Sequence, residues 1–175
     1  MNQIFNIRFK IVYICIFAVF AISAVAFPAI IYLDAQRVTT IVESNYNYID
    51  EPLLVCKIEN YIQTKGGITL QGWFAEAGKE IKSRKCYVVL KSLDDGTCLQ
   101  LPTKVVSNSN AKAYFKDGFN YNDAGFSSTV QTNYLQTNNT YLVLILYEND
   151  GQMVLFKTDQ TITAGQLTKQ YGVIL

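Results

Sequence analysis

The sequence predicts a mainly β protein, an antiparallel β-sandwich of seven or eight strands preceded by one transmembrane α-helix. Two observations carry this expectation. Ile11 to Leu33 is a run of 23 residues without a charged side chain. Beyond Pro52 the apolar residues recur with a period of two, in short stretches separated by turn chemistry.

About 20 mostly apolar residues at 1.5 Å rise per residue suffice for a helix to cross the hydrocarbon core, so residues 11–33 can span a bilayer. Residues 1–10 are a stub with Arg8 and Lys10, and an excess of Lys and Arg stays on the cytoplasmic side. The amino end is therefore expected inside the cell and the 142 residues after Leu33 outside it, as a single-pass protein of the cell membrane. Tyr13 and Tyr32 stand near the ends of the run, where a ring with a polar tip rests among headgroups, and Pro28 kinks the helix without preventing insertion. A cleavable secretory signal has the same outline, including the small-residue triplet Ala24-Val25-Ala26. Apolar residues continue past that triplet to Leu33, which favours an uncleaved anchor with the lipid bilayer as partner of 11–33.

Residues 34–52 read as a juxtamembrane stalk. Val38, Ile41, Val42, Tyr46 and Ile49 recur at helical spacing, which predicts a helix that Pro52 ends, either continuing the anchor as an exposed or dimerising stalk or lying against the sandwich, although several β-branched residues oppose it.

Residues 53–175 read as the extracytoplasmic β domain. Strands are predicted at Leu53–Tyr61, Gly67–Ala75, Cys86–Leu93, Thr97–Val106, Phe126–Val130, Tyr141–Tyr147 and Met153–Thr158, with a short one near Thr161, all rich in Val, Ile, Leu, Tyr, Phe and Thr. Gly, Asn and Asp between them tolerate positive φ. Asp95-Gly96 and Asp150-Gly151 each lie between strand-like stretches, the strongest short-range hairpin signal. With Asp95 and Gly96 as the loop, Leu93 faces Cys98 and Leu90 faces Leu101, which leaves Cys86 too far along to bridge Cys98.

Tyr141 opens the apolar strand Tyr141–Tyr147, six residues after Leu135 across a polar loop. That is the pattern of a tyrosine corner, in which a Tyr hydroxyl returns to backbone just upstream, and it assigns Leu135 and Tyr141 a structural role. The loop also holds Asn138-Asn139-Thr140, a glycosylation sequon in a cell that uses such sites.

Leu70-Gln71-Gly72-Trp73-Phe74-Ala75 followed by Gly78, then Tyr87-Val88-Val89-Leu90-Lys91, then Ala124-Gly125-Phe126, then Leu135 to Tyr141 cover most of residues 68–147. In this order they resemble an immunoglobulin-like domain of bacterial membrane proteins associated with surface-polysaccharide systems. That family often carries an Arg-x-Asp pair before its Gly-Phe strand; here the region reads Asn110-Ala111-Lys112-Ala113-Tyr114-Phe115, and whatever the pair contributes elsewhere is not carried over. The resemblance implies an immunoglobulin-like sandwich and an extracytoplasmic accessory module linked to envelope glycans, without catalysis.

Composition narrows the chemistry. Arg8 and Lys10 aside, 13 Lys and Arg face 14 Asp and Glu, a balance that offers no general field for nucleic acid. The absence of histidine removes imidazole bases and ligands, and no GxSxG elbow, P-loop, dinucleotide fingerprint or SxxK is present. No enzyme activity and no cofactor are expected. Cys15 lies in the anchor; Cys56, Cys86 and Cys98 fit neither a redox pair nor a zinc knuckle, and export leaves one disulfide among the three open.

Two regions are candidate binding sites. Trp73, the sole tryptophan, either fills the sandwich core or stacks on a sugar. The stretch from Tyr114 to Asp123 concentrates Tyr114, Phe115, Phe119 and Tyr121 with Asp117, Asn120, Asn122 and Asp123 on one connection, which suits carbohydrate, or else is a crossover whose rings tuck beneath the sandwich edge. The named ligand candidates are Trp73, Tyr114, Phe119, Tyr121, Asp117 and Asp123. The acid spacing misses the EF-hand pattern, so no metal is assigned, and an enzyme would need a pair such as Asp117 and Asp123 in a cleft. Lys79, Lys82, Arg84 and Lys85 form the densest basic cluster, a solvated turn or a contact for anionic glycan or lipid. The expected role is a membrane-anchored accessory or interaction module in envelope or surface-glycan biology, with an envelope protein or glycan as partner; a carbohydrate-binding module using 114–123 is the alternative.

Overall fold

The computed structural model describes residues 2–50, 52–81, 85–149 and 151–165, and the chain divides into two units, Met1–Arg37 and Val38–Leu175. The first unit is one helix, α1 (Asn2–Ala35), with Pro28 inside it. Its stretch Ile16–Leu33 has a mean hydropathy of 2.4 and is long and apolar enough to cross a membrane, a property a signal sequence shares. The Gln36 N–H closes on the Leu33 carbonyl at 3.2 Å, where the helix ends.

The helical stalk expected over 34–52 is therefore not formed. Residues 39–49 hold two short strands, β1 (Thr39–Ile41) and β2 (Asn47–Ile49), joined through a 3-10 turn at Glu43–Asn45. Four β-branched residues in a row, Thr39 to Val42, favour extended backbone over helix. Their strand partners lie far along the chain, so helical spacing of a few apolar residues was a local signal overridden by distant pairing.

The remaining strands are β3 (Leu54–Gln63), β4 (Gly67–Glu76), β5 (Cys86–Ser92), β6 (Cys98–Gln100), β7 (Thr103–Val106), β8 (Gly125–Gln131), β9 (Thr140–Asn149) and β10 (Gln152–Thr163), with a short helix, α2 (Asn110–Phe115), between β7 and β8. They form a six-stranded sheet in the order β1-β6-β5-β9-β10-β2 and a four-stranded sheet in the order β3-β4-β8-β7. Neighbours are antiparallel except β2 and β10, which run parallel.

The sheets meet face to face over one core. Leu54, Ile68, Leu70, Phe74, Phe126 and Val130 come from the smaller sheet and Val88, Leu90, Tyr141, Val143, Ile145, Tyr147 and Val154 from the larger. Phe74 and Tyr147 touch edge to face across it, centroids 4.8 Å apart. Both outer faces are covered as well. Val89, Leu144, Leu146 and Leu155 of the larger sheet lie beneath Ile41 and Tyr46, and Trp73 and Ala75 of the smaller sheet lie beneath Ala111, Phe115 and Tyr121. This explains why Tyr141–Tyr147 is apolar at every position: β9 is a central strand buried on both faces.

Three expectations are corrected in detail. The strand read over 97–106 breaks at Pro102, which has no N–H for a ladder, and its halves β6 and β7 join different sheets. The hairpin register places Leu90 opposite Leu99 and Lys91 opposite Cys98, because the connection extends from Leu93 to Thr97, with Ser92 N–H bonded to Thr97 O and Gly96 N–H to Ser92 O. The strand near Thr161 is the continuation of β10 past an irregularity between Lys157 and Thr161, where the Thr158 hydroxyl donates to Val143 O at 2.7 Å. Cys86 faces the inter-sheet core and Cys98 the outer cluster, on opposite sides of one sheet, and no disulfide joins Cys56, Cys86 and Cys98. Asp150, in the second predicted hairpin turn, lies outside the described residues.

Candidate functional site

The connection from β7 to β8 crosses the outer face of the four-stranded sheet and is pinned along its length. At its start the Glu59 carboxylate accepts from Asn108 Nδ2 at 3.0 Å and Asn110 Nδ2 at 2.7 Å. Glu59 sits where the β3–β4 register shifts, and such a bulge re-aims a side chain. In the middle α2 lays Phe115 against Trp73, centroids 5.8 Å apart, and against Tyr121 at 5.0 Å. At its end Tyr121 and Asp117 grip the β4–β5 turn. The Tyr121 hydroxyl donates to Asp117 Oδ2 at 2.7 Å, and the Gly78 N–H reaches both that hydroxyl at 2.8 Å and Asp117 Oδ2 at 3.1 Å. Gly78, at φ +74°, gives the turn the left-handed backbone it needs.

Electrostatics follow from these bonds. Asp117 is held below the ordinary carboxylate range, first by the Tyr121 hydroxyl and then by the amides of Phe119 and Gly78. Tyr121 is pushed up, first by burial and then by Asp117. Asp117 is thus a clasp, with both carboxylate oxygens engaged by its own loop and the facing turn.

The structure brings together Trp73, Tyr114, Phe115 and Tyr121 and closes over all of them but Tyr114. Trp73 is 2% exposed and Tyr121 is fully buried, so neither offers a ring face for stacking. Tyr114 lies over Trp73 with centroids 5.3 Å apart and has the Lys57 ammonium 5.0 Å from its own ring centroid. Tyr114 and Phe119 are the exposed rings of this set, at 52% and 38%. Asp123 is exposed in the 3-10 turn before β8. The reading of Trp73 and Tyr121 as ligand rings is therefore corrected: they hold the crossover to the sheet.

Of the basic cluster, Lys79 pairs with Glu76 and Lys85 with Glu148, each at 3.0 Å, while Lys82 and Arg84 lie outside the described residues. Among the described residues no group of three or more Cys, Asp or Glu converges as a metal site would require. A cavity of about 70 Å³ lined by Gln63, Ile68, Thr132, Leu135, Thr137, Ala164 and Gly165 is well below the ~300 Å³ at which ligand pockets begin.

Around the tyrosine corner the Gln136 N–H donates to the Tyr141 hydroxyl at 2.8 Å. Asn139, buried behind it, donates to Ser92 Oγ at 2.9 Å and Gln136 Oε1 at 3.2 Å. Gln136 Nε2 reaches Asp95 Oδ2, and Asp95 is lowered to about 2 by its hydrogen bonds with Ser92 and Thr97. Two loops are thereby joined at one end of the larger sheet. The sequence reading also missed a cluster on that sheet's outer face. There both Glu43 carboxylate oxygens meet Lys91 Nζ, at 2.8 and 2.6 Å, and the Tyr48 hydroxyl donates to Glu43. Its sequence signal was an acid closing the β-branched run Thr39–Val42 and a lysine closing the apolar run Cys86–Leu90. Comparison with protein-family models, curated proteins and solved structures finds no match for this chain.

Proposed function

We propose that this chain is a single-pass membrane protein, amino end cytoplasmic, presenting an immunoglobulin-like domain outside the cell as a non-catalytic interaction module of the envelope or its surface glycans. The observation that carries the reading is the charge-free helix Ile16–Leu33 leading directly into a two-sheet domain. The immunoglobulin-like assignment is supported by strand order. Lettered from β3 as A, B, C, C′, D, E, F and G, the sheets run A-B-E-D and C′-C-F-G, and Tyr141 opens strand F with its hydroxyl returned to backbone. Antibody domains join strands B and F by a disulfide; here Phe74 and Tyr147 meet across the same pair of strands.

An interaction role agrees with the exposed side chains of the crossover. Tyr121 and Trp73 are committed to packing and Asp117 to its hydrogen bonds, while Tyr114, Phe119 and Lys116 face solvent. Two experiments test the reading. In intact cells, with the four native cysteines replaced by serine, a membrane-impermeant maleimide should label Thr97→Cys and not Asn2→Cys, with the full-length chain resisting carbonate extraction; a shortened, extractable product means a cleaved signal. The full chain in nanodiscs should bind envelope protein on cross-linking, while binding on a glycan array that Tyr114→Ala and Phe119→Ala abolish would favour the carbohydrate reading.

A further inference from the structure

The segment from Val38 to Ile49 is a strap over the six-stranded sheet. One short stretch of chain supplies both outermost strands: β1 pairs with β6 through Thr39–Gln100 to Ile41–Cys98, and β2 pairs with β10 through Asn47–Val154 to Ile49–Phe156. Between them Ile41 and Tyr46 lie on Val89, Leu144, Leu146, Leu155 and Cys98. The strap and the surface beneath it differ sharply in burial. No residue from Val38 to Ile49 is fully buried, and Val42 and Tyr48 are 60% and 47% exposed, whereas Val89, Leu144 and Leu155 are wholly inaccessible.

We propose that the strap opens as a unit, ahead of the domain beneath it, and that the Glu43–Lys91 ion pair is its latch. Parts of a protein that bury little surface and hold few backbone pairs open at lower free energy than the core they cover. The strap has two three-residue strands, while β9 exchanges hydrogen bonds with β5 and β10 along most of its length. Glu43–Lys91 is the one ion pair between strap and sheet among the described residues, and it is partly shielded, with the two side chains 28% and 29% exposed. Partial burial makes such a pair more consequential than the exposed Lys79–Glu76 and Lys85–Glu148 pairs. Tyr48 adds its hydroxyl bond from β2, so the latch fastens the strap to itself as well as to β5. Opening uncovers an apolar face, the Cys98 thiol and the edges of β6 and β10. The strap is also the first part of the domain reached along the chain from α1.

Hydrogen exchange on the full chain in nanodiscs tests this. The amides of 39–41 and 47–49 that pair with β6 and β10 should exchange about 100-fold faster than those of Val143–Ile145. Glu43→Lys should speed strap exchange roughly a further tenfold and leave Val143–Ile145 unmoved, and the swapped pair Glu43→Lys with Lys91→Glu should restore it. Maleimide labelling of Cys98, read by mass spectrometry, should rise with the strap amides in Glu43→Lys and fall back in the swap. Equal exchange of strap and β9 in the native protein overturns the proposal, and so does a Glu43→Lys effect of the same size on both. Should Glu43→Lys fail to fold, the native comparison and Lys91→Met decide between the same outcomes.

Discussion

Single residues carry several of the fold's constraints. Tyr141 is one: without its hydroxyl the Gln136 amide loses its acceptor, so Tyr141→Phe should lower stability by about 1 kcal/mol in urea unfolding, with little change in the slope. Gly72 is another. A Cβ there would stand 2.0 Å from the Lys57 carbonyl oxygen, so Gly72→Ala must push β3 away from β4, and a loss of about 1–3 kcal/mol is expected by the same measurement. Glu43 is titratable. Its carboxyl is lowered from the ordinary 4.5, first by the Lys91 bond and next by Tyr48, with Cys98 and Lys91 the other titratable groups facing it from the sheet. A group lowered in the folded state stabilises above its ordinary value and loses that contribution as pH falls through its folded one. Melting temperature should therefore fall more steeply below about pH 4.5 in the native protein than in Glu43→Gln.

Among elements, the crossover over the smaller sheet gives a direct optical readout. Trp73 is the sole tryptophan and Tyr114 lies on it, so Tyr114→Ala should raise acrylamide quenching and red-shift its emission while the far-ultraviolet circular dichroism stays unchanged. How far elements were legible in the sequence depended on whether their partners were near. The alternation of β3 to β5 and the Gly151 turn between Asn149 and Gln152 are local patterns, and so is the five-residue return from Tyr141 to Gln136. The strap was misread because β1 and β2 answer to β6 and β10, which no local spacing encodes. The crossover's aromatics were legible as a group, but their burial was not: composition says that rings cluster and leaves open whether a sheet lies beneath them.

At the scale of the whole molecule, the strap forms both margins of the larger sheet, lying along β6 through Thr39–Ile41 and along β10 at Val154–Phe156. A chain begun at residue 50 would present the β6 and β10 edges together with Leu144 and Leu155 to solvent, a template for pairing with other chains. Light scattering should show that fragment to aggregate at concentrations where a fragment begun at residue 36 stays monomeric. The parallel ladder of β2 on β10 also orders events in time. Synthesis proceeds from the amino end, so the strap is made early, yet one of its two seats is β10, the last strand among the described residues. The first segment of this domain to leave the ribosome thus has one half that cannot be seated until Val154–Phe156 has been made, and the apolar face beneath it waits for its full cover as long.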